Sequence, residues 1–240
     1  MRLKITFELE NEVFPVQYRK NILSFIKNAF YNYDEKFYEK FYKENNNIQK
    51  PYSYAIFLDN PKFEGDKIIL KSNVINMVFS VYDYANGINI YNAINQQRGV
   101  KFSMNQNSIK ITNIYLQEEK NIIEEKIIVK MLSPIIVREH NQITGKDYYY
   151  SYKREGFLEN LKINMKESLN IVDLSDELVE GFEIKEIESK KTVIPVYEQM
   201  IEATLGVFEL RGDRNLLEFL YKSGIGSRRS LGFGLFEILS

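Results

Sequence analysis

The sequence predicts an α+β protein made of two tandem ferredoxin-like (βαββαβ) domains, and three observations carry that prediction. Apolar and polar residues alternate at the start of the chain: Leu3, Ile5, Phe7 and Leu9 are separated by Lys4, Thr6 and Glu8, the pattern of a half-buried strand. An amphipathic helical stretch follows each opening strand. The order strand, helix, two strands, helix, strand can then be traced twice along 240 residues.

In the first half, Tyr18, Ile22, Phe25, Ile26, Ala29 and Phe30 fall on one side at helical spacing, and Asp34 is placed to cap a second helix carrying Phe37 and Phe41. Asn45-Asn46-Asn47 reads as a solvated turn. Strand-like runs occupy 52–58, 67–70 and 75–82. An amphipathic stretch with Ile90, Tyr91 and Ile94 leads to Gln97-Arg98-Gly99, and a strand at 109–116 closes the half. The charged stretch 118–125 marks the boundary, giving domains at 1–120 and 121–240. The second half opens with a strand at 127–137 and a helix bearing Phe157, Leu161, Met165 and Leu169. Strands at 182–187 and 200–210, a helix at 214–223 and a terminal strand at 233–239 complete it.

With 44% hydrophobic residues the chain can bury one large core or two smaller ones. No apolar run approaches the roughly 20 residues of a membrane span, and Met1-Arg2-Leu3-Lys4 opens a strand pattern rather than a signal peptide, so a soluble, cytoplasmic protein is expected. Zero cysteines exclude disulfides and thiolate metal sites. The net charge of -1 argues against a nucleic-acid binder, but its distribution is uneven. Seven acids crowd residues 171–188 against the single Lys185, whereas 219–235 holds Lys222, Arg228 and Arg229 and no acid.

The most distinctive segment is Gly224-Ile225-Gly226-Ser227-Arg228-Arg229-Ser230-Leu231-Gly232-Phe233-Gly234. Closely spaced glycines let backbone N–H groups converge on an anion, and arginine forks pair with phosphate oxygens. The segment lies between a helix and a strand, in that order, so it is neither a dinucleotide fingerprint nor a Walker loop. Gly224, Gly226, Ser227, Arg228, Arg229, Gly232 and Gly234 are therefore candidate phosphate-binding residues. Gln97-Arg98-Gly99-Val100-Lys101 holds the matching place in the first half, either as the other wall of a basic cleft between the domains or as an ordinary exposed turn.

This segment also carries a resemblance. Gly-Ile-Gly-x-x-x-Ser-Leu-Gly-Phe-Gly near the C-terminus is similar to the signature of the CRISPR-associated repeat-processing endoribonucleases of the repeat-associated RNA-binding superfamily. Leu132-Ser133-Pro134-Ile135-Ile136-Val137-Arg138 resembles the strand and turn opening that family's second domain, and Lys50-Pro51-Tyr52-Ser53-Tyr54 resembles the segment after its first helical region. The resemblance implies metal-independent cleavage of CRISPR repeat RNA to guide RNAs, by 2'-hydroxyl attack that leaves a cyclic phosphate. It implies no cofactor and no metal, and it adds an effector complex as a further partner. Its helix-one tyrosine falls on Lys27, its usual histidine on Tyr42 and its lysine on Lys50. Lys27, Tyr42 and Lys50 are thus candidate catalytic residues, and only Lys50 is a like-for-like match. The chain's one histidine, His140, is a fourth candidate, in a polar loop of the second half. The missing histidine leaves the general base open, and a matched base is worth about 100- to 10,000-fold in rate. Two other readings remain: a non-cleaving RNA-binding scaffold of the same superfamily, and a binder of small phosphate ligands.

Overall fold

A computed structural model describes residues 1–44, 48–197 and 199–240, so the turn expected at Asn45 to Asn47 lies outside the described residues. In the first half the chain runs β1 (Arg2–Leu9), β2 (Val13–Pro15), α1 (Tyr18–Tyr33), α2 (Glu35–Tyr42), β3 (Tyr52–Phe57), β4 (Lys62–Glu64), β5 (Lys67–Ile69), β6 (Val74–Val81), α3 (Tyr84–Gln96), β7 (Lys101–Met104) and β8 (Asn107–Gln117). The second half continues β9 (Lys126–Met131), β10 (Val137–His140), β11 (Asp147–Tyr150), α4 (Phe157–Leu169), β12 (Glu183–Val196), β13 (Gln199–Arg211), α5 (Arg214–Ser223) and β14 (Phe236–Ile238).

The two main sheets are antiparallel, with orders β3-β6-β1-β8-β7 and β12-β13-β9-β14. Without the extra edge strand β7, both read second-third-first-fourth, the ferredoxin-like arrangement expected from the sequence. The alternation in β1 does what it predicts: Leu3, Ile5, Phe7 and Leu9 are buried, and Phe7 meets Phe25 of α1 edge-on at 5.5 Å. The apolar stripe of α1 buries Ile22, Phe25, Ile26, Ala29 and Phe30. Asp34 caps α2 by accepting the backbone N–H groups of Lys36 and Phe37, which seats Phe37 and Phe41 in the same core. In the second half α4 and α5 bury Phe157, Leu161, Met165 and Leu169, and Leu216, Leu217, Phe219 and Leu220. Among the described residues no helix is long and apolar enough to cross a membrane.

Five expectations change, the first being that the strand expected at 182–187 runs on to Val196 as the long partner of β13. The strand expected at 127–137 stops at Met131, because Pro134 has no N–H to give a ladder, and Val137 to His140 pair instead with β11 in a separate hairpin. The run at 67–70 leaves the main sheet for a small one ordered β2-β5-β4. The terminal strand begins at Phe236, since Gly234 N–H is taken by Pro134 O, and Leu235 O accepts from Leu132 and Ser133 N–H. Residues 97–101 do not wall an interdomain cleft. They lead into β7, at the sheet edge opposite β3, where Lys101 pairs with Glu10 at 2.9 Å.

The halves meet through β3, β6 and α5. Ser53 Oγ donates to Phe233 O at 2.6 Å, Ser80 Oγ donates to Lys222 O at 2.8 Å, and Tyr82 packs edge-on against Phe219 at 5.1 Å. The buried Arg2 donates to Phe236 O and lies 4.5 Å from the Tyr221 ring centroid.

Candidate functional site

A cleft of about 880 Å³ opens where the two halves diverge. The end of α2, residues 48–51 and the start of α3 line one side, and Arg138, Glu167 and residues 170–173 line the other. Its charge is mixed rather than basic: Lys40, Lys50 and Arg138 are matched by Asp83, Glu167 and Asp173.

Lys50 lines this cleft, and two further candidates, Lys27 and Tyr42, gather with it although neither is among the lining residues. α1 supplies Lys27, α2 supplies Tyr42, and the segment entering β3 supplies Lys50. Lys27 Nζ lies 4.8 Å and Lys50 Nζ 5.9 Å from the centroid of the Tyr42 ring. Lys50 is only 6% exposed, and its ammonium donates to Ile48 O at 2.6 Å. Burial, reinforced by the Lys27 charge, lowers the Lys50 amine to about 8. The Tyr42 hydroxyl is hydrogen-bonded to that of Tyr52, and burial pushes its phenol well above the ordinary value. Tyr42 therefore offers a ring and a neutral hydroxyl, not a base.

The Lys50 segment is tied to the second half. Gln49 Nε2 donates to Asn164 O at 3.5 Å, and Ser168 Oγ donates to Gln49 Oε1 at 3.1 Å. Asn164 in turn clasps the Arg138 backbone, accepting its N–H at 2.9 Å and donating to its carbonyl at 2.7 Å. Arg138, which the sequence reading did not single out, is thus held at the cleft by a buried asparagine of α4. Its place in the segment 132–138 was the available signal.

The glycine-rich loop does not form an open anion cradle. Gly224, Gly226, Ser227, Arg229, Gly232 and Gly234 are buried, and the N–H groups of Gly224, Ile225, Ser227, Leu231, Gly232 and Gly234 all bond to backbone carbonyls. The glycines are needed for close packing. With φ of 81°, Gly232 sits where a Cβ would lie 2.5 Å from the Tyr54 ring, and a Cβ on Gly234 would collide with the Ile225 carbonyl. Arg229 is 1% exposed. Its Nη1 donates to Ser223 Oγ at 2.8 Å and to Gly224 O at 3.3 Å, and burial lowers its guanidinium to about 9. The loop reaches the lysine–tyrosine group through a side-chain hydrogen bond from Ser230 to Tyr52, the partner of Tyr42.

Arg228 is the exposed member, with 20% of its side chain open. It donates to Asp147 at 3.0 Å and to Tyr149 OH at 2.6 Å. Asp147 also accepts from Arg138 at 3.3 Å and pairs with His140 Nδ1 at 2.7 Å. Burial alone would raise the Asp147 carboxyl, but His140, Arg138, Tyr149 and Arg228 together hold it below the usual carboxylate value. His140 therefore belongs to this ion-pair group on the β10–β11 hairpin and is not among the residues lining the cleft. The sequence carried no signal for Asp147 as the hub.

Comparison with known proteins gives a concordant result. The C-terminal region of the CRISPR-associated protein Cas6 family matches residues 116–238, just over half the chain. A CRISPR-associated endoribonuclease-like protein, Cas6nc, of Pyrococcus horikoshii is 22% identical over 224 residues, covering 87% of this chain and 92% of its own. Among solved structures, the product of a Cas6-related gene from Pyrococcus furiosus superposes with a TM-score of 0.87 at 22% identity, over 100% of this chain and 98% of its own. A second structure, described as a RAMP protein binding different RNA substrates, gives 0.85 at 19% identity with full coverage of both chains.

Proposed function

The chain belongs to the CRISPR-associated Cas6 family, and from that premise we propose that it cuts CRISPR repeat RNA without a metal ion. The ribose 2'-hydroxyl attacks the neighbouring phosphate, leaving a 2',3'-cyclic phosphate and a free 5'-hydroxyl. The carrying observation is that Lys50 lines the interdomain cleft and that Lys27 and Tyr42, the other positions onto which the family's residues fall, gather beside it, with both ammonium groups near the Tyr42 ring. A scissile phosphate seated there meets the Lys50 ammonium, with that of Lys27 near the same ring, and this positive charge stabilises the negative charge gathering on its oxygens. RNA held across the junction has Arg228, Arg138 and Lys40 within the surrounding surface for backbone contacts.

The absence of histidine from the cleft lining favours a second reading, an RNA-binding scaffold that does not cut. Incubation with the repeat RNA of its host in EDTA separates the two. Site-specific cleavage to a cyclic-phosphate end supports the nuclease, whereas tight, repeat-specific binding with intact RNA supports the scaffold. Weak binding without preference for the repeat would contradict both.

A further inference from the structure

Lys50, in the lining of the cleft, and Lys27 sit around one ring, that of Tyr42, an arrangement that bears on protons as well as on charge. Two ammonium groups set on one ring repel each other, and burying one of them weakens its hold on its own proton. A group serving only as a fixed cation gains from neither. Of the other candidates, the Tyr42 hydroxyl is bonded to Tyr52 and His140 is paired with Asp147, and neither residue lines the cleft. Resting on the nuclease reading above, we propose that Lys50 is the proton donor to the departing 5'-oxygen of the RNA, and that Lys27 is a positioning residue that tunes it across the Tyr42 ring.

The step balances as follows. The bond from the 2'-oxygen to phosphorus forms, and the bond from phosphorus to the 5'-oxygen breaks. Solvent hydroxide takes the 2'-hydroxyl proton, the Lys50 ammonium gives its proton to the 5'-oxygen, and water then reprotonates the amine. The burial and the neighbouring charge that bring Lys50 to about 8 suit it to this task, because at neutral pH it is mostly protonated yet readily releases a proton. The other charged side chains lining the cleft are Lys40, Asp83, Arg138, Glu167 and Asp173.

The test uses repeat RNA carrying a bridging sulfur in place of the 5'-oxygen at the bond cut by the wild-type protein. A thiolate leaves without protonation, so a lost proton donor no longer matters. Lys50→Met is expected to slow cleavage of ordinary RNA by about 100-fold or more and to recover most of that loss on the sulfur substrate. Lys50→Arg, which keeps the charge but does not release its proton, is expected to behave the same way and guards against a folding defect in the first variant. The wild-type rate should rise with pH and level off near pH 8. Lys27→Gln should move that break upward, a change that a purely structural role would not cause. If wild type cuts but neither Lys50 variant is rescued by sulfur, the proton-donor role is overturned while the nuclease reading stands. If wild type does not cut ordinary RNA, both fall.

Discussion

The glycine-rich loop and the lysine cluster press on the same strand. The loop packs on Ser53 and Tyr54 of β3, while Tyr42 bonds to Tyr52 and Lys50 lies two residues before it. What differs is how their polar groups are satisfied. In the loop, six N–H groups are consumed by backbone carbonyls, and the space beside Gly232 and Gly234 is filled by neighbouring atoms, so it acts as a joint between the halves. In the cluster, the buried ammonium of Lys50 lies in the wall of an open cleft with that of Lys27 near the same ring, an arrangement that costs stability. The conspicuous motif packs the two halves together, and the inconspicuous residues are the ones we propose to work on a substrate.

Substitutions separate these roles. Gly234→Ala forces a side chain onto the Ile225 carbonyl at φ of 74°, so it should lower unfolding free energy by about 4 kcal/mol in urea denaturation, combining backbone strain with overpacking. A loss below about 1 kcal/mol would mean that the loop is open rather than a joint. Lys50 supplies the next effect. Its folded value near 8 lies below the ordinary 10.5, so the unfolded chain binds more protons between those values, and stability rises with pH across that window. Between pH 7 and pH 9 wild type should gain about 1 kcal/mol relative to Lys50→Met; parallel curves would place Lys50 in solvent instead. Tyr42→Phe keeps the ring and removes one hydrogen bond to Tyr52. It should cost about 1 kcal/mol of stability and leave the cleavage rate of bound RNA nearly unchanged, so a large fall in that rate would return the hydroxyl to the chemistry. The smallest effect is expected for His140→Asn, whose single-turnover rate should match wild type because His140 is paired with Asp147 on the β10–β11 hairpin.

The legible parts of this protein are the local ones. Helical spacing marks the buried face of α1, the cap at Asp34 follows from its side chain, and α5 spans 214–223 as expected. These features depend on neighbours a few residues away. The loop was misjudged because its partner strand lies about 170 residues upstream, and a run of glycines reads the same whether its N–H groups face an anion or a carbonyl. Lys50 stands out in the sequence only through the family resemblance, since by composition it is one more lysine beside a polar stretch. Its burial, and its meeting with Lys27 over Tyr42, exist only once α1, α2 and β3 pack together. The family resemblance brought these three positions forward where composition could not.

Single-turnover cleavage of pre-bound repeat RNA by Lys50→Met and Arg229→Met, measured side by side, tests the division most directly. A fall of about 100-fold or more for Lys50→Met at unchanged affinity, with Arg229→Met cutting at nearly the wild-type rate, is the expected outcome. An intact rate in Lys50→Met together with a collapse in Arg229→Met would contradict it and move the chemistry to the loop.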